Sequence, residues 1–189
     1  MFVAPRYATD KWSCLNFKLR VISKLFSKVI AMDIGHFYFL DDNYYTDFSD
    51  SHLMGNHERD VLGNDHNRPF FVAIQDDAKT NIFWLVPCTT KVLKFRNIYR
   101  HKISRYGQCD TLVFGQIRGV NNCFLIQNMC PVTSKYIKNK YLDNSGCPVQ
   151  ISNNLLLKIQ KKAKKILALV KNGNTNLVFP DVMDIYGRL

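Results

Sequence analysis

The chain has 189 residues, of which 26 are Lys or Arg and 15 are Asp or Glu, which gives a formal net charge of +11. Because 47% of the residues are hydrophobic, the chain can bury a core, and we expect one compact domain rather than a chain without a core. The basic surplus indicates an anionic partner such as RNA, DNA or an anionic membrane, and charge alone does not choose among them. It is equally compatible with a surface of solvated lysines.

Residues 1–31 differ in composition from the rest and form a predicted basic N-terminal extension to a domain over 32–189. Met32 is typical of a natural start, so we expect the preceding residues to lie outside the native domain. Lysines such as Lys18 and Lys24 interrupt the apolar positions, which argues against a transmembrane helix or a secretory signal. An alternative is a basic amphipathic helix that contacts RNA or a membrane surface. With no other transmembrane candidate, we expect a cytoplasmic protein without a membrane partner.

The predicted elements after Met32 are mostly short strands separated by turns. In chain order they are a strand over Phe37–Leu40, a helix over Asp42–Phe48 capped by Asp41 or Asp42, a long polar loop over Ser49–Pro69, a hairpin of Phe70–Gln75 and Thr80–Pro87, a second hairpin of Thr111–Ile117 and Cys123–Asn128, and a short helix over Thr133–Tyr141. Apolar segments around polar turns are typical of antiparallel hairpins.

The strongest single prediction is a helix over Ser152–Lys171. Apolar residues recur there at i, i+3, i+4 and i+7, Ser152 or Asn153 can cap the start, and Gly173 can end it. The opposite face carries lysines, which are usually solvated but can also contact phosphates. We expect the tail over Leu177–Ile185 to return to the core. The fold class that follows is α+β, a compact, strongly curved antiparallel sheet or partly open barrel with a C-terminal covering helix.

The cysteines and histidines do not form a recognisable metal site. None of the six cysteines belongs to a C-x-x-C pair, and several lie in apolar segments such as Cys123–Ile126. Free, buried thiols therefore fit better than disulfides or zinc ligands. We expect no metal and no cofactor.

The most informative stretch follows the strand that ends at Pro87. Thr89 and Thr90 place two hydroxyls beside the ammonium of Lys91, and this group can bind one phosphate. The next residues, up to Lys102, interleave cations with aromatic side chains, a combination that holds a polyanion of stacked bases. The pattern indicates nucleic acid, and RNA more than duplex DNA. Taken one at a time, these residues also fit the end of a strand and a solvated loop.

Three stretches together resemble the toxins of type III toxin–antitoxin systems, the ToxN, AbiQ and CptN proteins, with CptN-like toxins closest. They are Phe37–Tyr44, the turn Pro87–Lys91, and Phe124–Val132, followed by the lysine-rich helix after Ser152. The resemblance implies a metal-independent endoribonuclease on a fold similar to the Kid and MazF toxins, acting in phage defence or growth arrest. It also implies an inhibitor that is a small structured RNA, held with the toxin in a closed toxin–RNA assembly.

The resemblance implies a catalytic set of Tyr44, Thr89, Thr90 and Lys91. In ToxN one residue separates the hydroxyl pair from the lysine, whereas Lys91 follows directly here, so Lys94 is the alternative catalytic lysine. The expected reaction is attack of the RNA 2′-hydroxyl, which leaves a 2′,3′-cyclic phosphate and a 5′-hydroxyl. The expected RNA-binding residues are Lys94, Arg96, Arg100, Lys102, Lys158, Lys161, Lys162 and Lys165.

Two alternatives remain open. One is a basic RNA-binding module without catalysis, which would use the same cations and aromatic residues. The other is a protein that binds a membrane surface through residues 1–31. Without the resemblance, Tyr44 is best interpreted as an ordinary core aromatic residue in a chain that contains thirteen Phe and nine Tyr.

Overall fold

A computed structural model describes residues 31–56 and 68–189 of the chain. Residues 1–30 of the predicted extension and residues 57–67 of the predicted polar loop lie outside the described residues. The strands are β1 (Phe37–Leu40), β2 (Pro69–Gln75), β3 (Ile82–Thr89), β4 (Leu112–Ile117), β5 (Val120–Leu125), β6 (Cys130–Thr133) and β7 (Ile137–Lys140). The helices are α1 (Asp42–Asp47), α2 (Val92–Tyr106), α3 (Asn153–Lys171) and α4 (Val182–Arg188).

The strands form one antiparallel sheet in the order β4-β5-β3-β2-β1-β7, and β6 pairs with β3 outside this path. The described strands do not close into a barrel, and the fold is α+β, as predicted. β3 has two partners along the same side. Its first half, from Ile82 to Leu85, pairs with β6, and its end, at Cys88 and Thr89, pairs with β5. The β4–β5 hairpin therefore leaves the main sheet as a two-stranded extension, so other elements can pack on both of its faces.

Both predicted hairpins are confirmed, with small shifts at their ends. β2 pairs with β3 and β4 pairs with β5, each in antiparallel register. The second hairpin turns more tightly than expected, because β5 begins at Val120 directly after Arg118 and Gly119. Both turn residues have positive φ, of 50° and 78°, which is the geometry of the two-residue turns that match strand twist.

The prediction of a short helix over Thr133–Tyr141 is wrong. A single 3-10 turn over Ser134–Tyr136 leads into β7, which pairs with β1 so that Leu40 lies opposite Ile137. β7 is an outer strand with three exposed or half-exposed polar residues after Ile137. Its sequence therefore lacks the alternating apolar pattern by which a half-buried strand is recognised.

α3 is confirmed almost to the residue. The hydroxyl of its N-cap, Ser152, accepts a hydrogen bond from the backbone N–H of Leu155, which stabilises the helix start. Its apolar stripe, which includes Ile159, Ala163 and Ile166, is buried against the sheet. A bulge in β2 leaves the carbonyl of Ala73 outside the strand ladder, and this oxygen accepts a hydrogen bond of 3.2 Å from the side chain of Gln160.

The predicted helix α1 and the returning tail are also confirmed. Asp41 caps α1 by accepting a hydrogen bond from the backbone N–H of Asn43. In the tail, α4 buries Val182 and Ile185, so the end of the chain contributes to the core as expected.

Asp76 joins the tail to the sheet through a buried carboxylate. Its oxygens accept hydrogen bonds from the indole N–H of Trp84 at 2.9 Å, the Nζ of Lys171 at 2.6 Å and the hydroxyl of Tyr186 at 3.0 Å. The backbone N–H of Lys79 adds a further bond. The ring of Tyr186 also stacks on Trp84, with 5.7 Å between the ring centres. One carboxylate therefore connects the β2–β3 turn, the end of α3 and α4.

We expect Asp76→Ala to lower the free energy of unfolding by about 3 kcal/mol or more, because it leaves several buried donors and the Lys171 charge without their acceptor. The matched control is Asp77→Ala, which removes the exposed neighbouring carboxylate in the same turn and should change stability by about 0.5 kcal/mol at most. Urea unfolding at pH 7 measures both. Equal effects of the two substitutions would contradict this account of Asp76.

The same carboxylate makes stability dependent on pH. Burial raises the pKa of Asp76, but the hydrogen bonds from Lys171 and Trp84 outweigh burial and hold the pKa well below its ordinary value. The unfolded chain has an ordinary Asp pKa of about 3.9, so the stabilisation is present above about pH 4 and is lost as the pH falls below it. The stability difference between wild type and Asp76→Ala should therefore narrow in acid.

Candidate nucleic-acid interface

The β4–β5 hairpin separates two layers of side chains. Along β5, Cys123 and Leu125 belong to one apolar cluster, whereas Phe124 belongs to the other. The first cluster is covered by α2, which contributes Phe95, Ile98 and Tyr99, and the second is covered by α3. The two long helices thus lie on opposite faces of one hairpin.

The segment after Lys91, for which the sequence left a solvated loop as one alternative, is the helix α2. Phe95, Ile98 and Tyr99 are spaced i, i+3 and i+4, and they form the apolar side of a helix that lies on the hairpin. The helix ends at Gly107, whose φ of 71° favours glycine and whose N–H bonds to the carbonyl of Ile103. No residue of α2 is fully buried, so its cations lie on an ordered but accessible helix.

The predicted cations of α2 divide into two kinds. Lys94, Arg96 and Arg100 are exposed, and the guanidinium of Arg96 lies 6.0 Å from the ring centre of Phe114 on β4. Lys102 is half-buried instead, and its Nζ donates hydrogen bonds of 2.7 Å to the hydroxyl of Thr111 and 2.9 Å to the amide oxygen of Gln127.

These contacts give Lys102 a structural role. Burial lowers its pKa, and its ammonium group already binds two acceptors from different segments of the chain. Lys102 therefore connects α2 to the start of β4 and to the 3-10 turn after β5. It does not offer an open cation to a phosphate.

The predicted cations of α3 divide in the same way. Lys158 and Lys161 are exposed and make no hydrogen bond or ion pair with any described residue. Lys162 donates to the backbone carbonyl of Cys109 and lies 3.6 Å from an oxygen of Asp110, and the Nζ of Lys165 lies 2.5 Å from the other oxygen. The hydrogen bond from Lys165 holds the pKa of Asp110 below its ordinary value.

Both helices lie alongside β4, which is the outermost strand at this end of the sheet. Contacts of Arg96 with Phe114 and of Lys102 with Thr111 place α2 along one face of β4. On the other face, Leu155 fills the space that a side chain at Gly115 would occupy. The two predicted sets of RNA-binding cations, distant in sequence, thus lie on the two sides of the same strand edge.

The turn Thr89–Lys91 belongs to the same region. Thr89 lies opposite Cys123, and Cys123 lies opposite Phe114, so the three residues form a row across three strands. With strands about 4.8 Å apart, Thr89 and Phe114 are separated by about 10 Å. The turn that was predicted to bind a phosphate is therefore next to the edge where the cations meet.

Within this turn the three side chains have different environments. The hydroxyl of Thr89 accepts a hydrogen bond of 3.3 Å from the backbone N–H of Lys91. Thr90 and Lys91 are exposed, and the ammonium group of Lys91 has no partner among the described residues. Lys91 occupies the N-cap position of α2, whose first turn contains no acidic residue. Thr90 and Lys91 are thus the accessible chemical groups of this turn.

Tyr44 lies away from the surface, contrary to the site that the resemblance implies. Its side chain is fully buried, and its hydroxyl donates a hydrogen bond of 2.8 Å to the backbone carbonyl of Pro131. The ring packs against Phe48 and Tyr136, and burial raises its pKa well above the ordinary value. Tyr44 is therefore a core aromatic residue, which is the interpretation that the composition of the chain favours without the resemblance.

The thiols of Cys88 and Cys123, which lie beside this edge, are not reactive nucleophiles. Burial raises the pKa values of Cys88 and Cys123 to about 12, so both remain neutral at physiological pH. The five described cysteines are free, and four of them are buried as predicted, whereas Cys147 is exposed. The sequence prediction missed Phe114 as a site residue. The sequence signal that could have identified it is an aromatic residue next to a glycine in a predicted hairpin strand.

Comparison with protein-family models and with curated proteins finds no match to this chain. Among residues 31–56 and 68–189, no helix is long and apolar enough to cross a membrane. The candidate interface is therefore argued from its residues and geometry.

We expect Lys102→Met to lower the free energy of unfolding by about 1–3 kcal/mol, because Thr111 and Gln127 lose the donor that satisfies them. Arg100→Met is the matched control, since it removes an exposed cation from the same helix and should change stability by about 0.5 kcal/mol at most. Thermal and urea unfolding measure both variants. If the Lys102→Met protein is as stable as Arg100→Met, the hydrogen bonds of Lys102 to Thr111 and Gln127 do not stabilise the fold.

Proposed function

We propose that this chain is a metal-independent endoribonuclease that acts as the toxin of a type III toxin–antitoxin system. One observation carries the proposal: the exposed cations of α2 and α3 lie on the two sides of the β4 edge, and Thr89, directly before the accessible Thr90 and Lys91, is about 10 Å from Phe114 on that strand. Distributed cations supply affinity for the RNA backbone, and a preorganised cation at one turn supplies charge at a single phosphate.

The turn fits cleavage by the nucleophile that RNA itself carries. Attack of a 2′-hydroxyl on the adjacent phosphorus breaks the bond to the 5′-oxygen and leaves a 2′,3′-cyclic phosphate and a 5′-hydroxyl. Negative charge builds on the phosphate oxygens during this step, and the ammonium group of Lys91 with the backbone N–H groups of Leu93 and Lys94 in the first turn of α2 can stabilise it. Because Tyr44 is buried, this site would supply charge and hydrogen-bond donors rather than a tyrosine hydroxyl.

Lys102 does not complete this site, although its pKa is lowered. Eleven positions separate it from Lys91, which along an α-helix corresponds to about 16 Å. That distance exceeds the reach of one phosphate group. We therefore assign the catalytic cation to Lys91, with Lys94 in the first turn of the same helix as the alternative.

The proposed partners are RNAs of two kinds. Cellular or phage transcripts would be the substrates, and a small structured RNA would be the inhibitor, bound to the same basic edge in a toxin–RNA assembly. The cytoplasm is the proposed location, because both kinds of RNA occur there.

A second candidate function is an RNA-binding module without catalysis. The burial of Tyr44 and the internal hydrogen bond of Thr89 favour it, since both reduce the number of groups available for proton transfer. Incubation of the protein with single-stranded RNA in EDTA distinguishes the two functions. Fragments that end in a cyclic phosphate support the enzyme, and RNA that is bound but intact supports the module.

We expect Lys91→Ala to slow single-turnover cleavage by about a hundred- to a thousandfold, as loss of one preorganised donor does at other oxyanion sites. The fold should be unaffected because Lys91 is exposed. Tyr44→Phe should cleave at the wild-type rate but unfold more easily, because the Pro131 carbonyl loses its donor.

Lys94→Ala is the matched control, an exposed lysine three positions away in the same helix. If Lys94→Ala is inactive and Lys91→Ala cleaves normally, the catalytic lysine is assigned wrongly. If both cleave at the wild-type rate, this turn is not the catalytic site.

A further inference from the structure

A groove of about 500 Å³ opens at the β4 edge, between the strand and the start of α3. Its lining includes an aromatic residue, a glycine, three side-chain amides and a lysine (Phe114, Gly115, Gln116, Gln150, Asn154 and Lys158), together with two apolar residues and a serine around the start of α3. Among the residues that the structure describes, no acidic one lines it. The groove lies between the two sets of cations described above, and the endoribonuclease chemistry at the turn does not use it.

The ring of Phe114 is held in a fixed orientation at one wall of this groove. It is half-exposed, and Tyr99 packs edge-on against it with 5.5 Å between the ring centres. Arg96 lies against the same ring. Because Phe114 lines the groove and remains half-exposed, part of this residue is open to a stacked group, whereas Leu155 fills the space above Gly115.

The polar lining fits the edge of a nucleobase. Side-chain amides present both donors and acceptors, as base edges do. Gln116 is already oriented, because its amide nitrogen donates a hydrogen bond of 3.2 Å to the side chain of Asn121. Gln150 and Asn154 are exposed and complete the polar wall.

The charges on both sides fit the phosphates that flank a base. Arg96 lies on the α2 side of Phe114, and Lys158 lines the groove on the α3 side. An extended peptide can also add to a free strand edge. Two flanking cations without a lining carboxylate favour a polyanion over a peptide of ordinary charge.

We propose that this groove binds an unpaired nucleobase of single-stranded RNA, stacked on Phe114, with its neighbouring phosphates near Arg96 and Lys158. The inference rests on the proposed function and adds a base-reading subsite to it. Thr89, at the start of the turn that contains Lys91, lies about 10 Å from Phe114, so one RNA strand can reach both the groove and the turn.

The test compares two labelled strands of equal length, both with 2′-O-methyl sugars so that cleavage cannot occur. One strand carries bases and the other is abasic, and their charge is the same. Binding of the full chain is measured by fluorescence anisotropy. Phe114→Leu should weaken binding of the base-bearing strand about five- to a hundredfold, the range reported for loss of one aromatic stacking partner. Its binding of the abasic strand should stay within about twofold.

Matched variants separate stacking from charge and from folding. Phe114→Tyr keeps the ring and should bind both strands as the wild type does. Lys158→Ala should weaken binding of both strands alike, because both carry the same phosphates. Phe114→Trp gives a second readout that does not depend on stability, since its added indole emission should be quenched by the base-bearing strand and not by the abasic one.

The possible outcomes are distinct. If wild type and Phe114→Leu bind the base-bearing strand equally well, the groove proposal is overturned while RNA binding stands. The same conclusion follows if Phe114→Leu loses affinity for both strands equally and the emission of Phe114→Trp shows no base-specific change. If wild type binds neither strand, the proposed function and the groove are both overturned. Base-specific loss with unchanged abasic binding supports the groove even if no cleavage is found.

Discussion

The buried carboxylate of Asp76 anchors the end of α3 to the sheet. It binds Lys171 near the end of that helix, together with donors from the sheet and from α4. At the other end of α3, Leu155 fills the space above Gly115. A helix held at both ends cannot rotate about its axis, so the exposed Lys158 keeps a fixed position beside β4. The geometry of the basic edge is thus set by a contact at the opposite end of the helix.

The division of β3 between two partners gives this edge its second side. Because β6 takes the first half of β3 and β5 takes its end, the β4–β5 hairpin has two exposed faces to cover, and one long helix covers each. The cations of both helices then lie around one strand. The exposed cations of this arrangement form a line of charge in contact with water. In the proposed function an RNA backbone would lie along this line, at a low cost of removing charges from water, and the groove beside Phe114 would take one base.

The sequence predicts the parts of this structure that depend on local patterns. α3 follows from its apolar spacing and its cap, and the hairpins follow from apolar segments around turns. α2 escaped prediction because its apolar side has few residues among many cations, so its helical period is weak. The local pattern does not reveal contacts between residues that are distant in sequence. In the sequence Lys102 and Lys162 are lysines of a basic segment like the exposed Lys158, but in the structure both donate hydrogen bonds to other parts of the chain. The resemblance implied a catalytic role for Tyr44, but the structure places this residue in the core.

The central claim is that RNA lies along the β4 edge, between α2 and α3. Lysine acetylation of the full chain, with and without single-stranded RNA, tests it most directly because each lysine reports its own accessibility. The account predicts that Lys91, Lys158 and Lys161 lose reactivity when RNA is added, whereas Lys135, which is exposed beside Asp47, keeps its reactivity. Protection of Lys135 with unchanged reactivity at Lys91 and Lys158 would place the RNA on another surface and contradict the account.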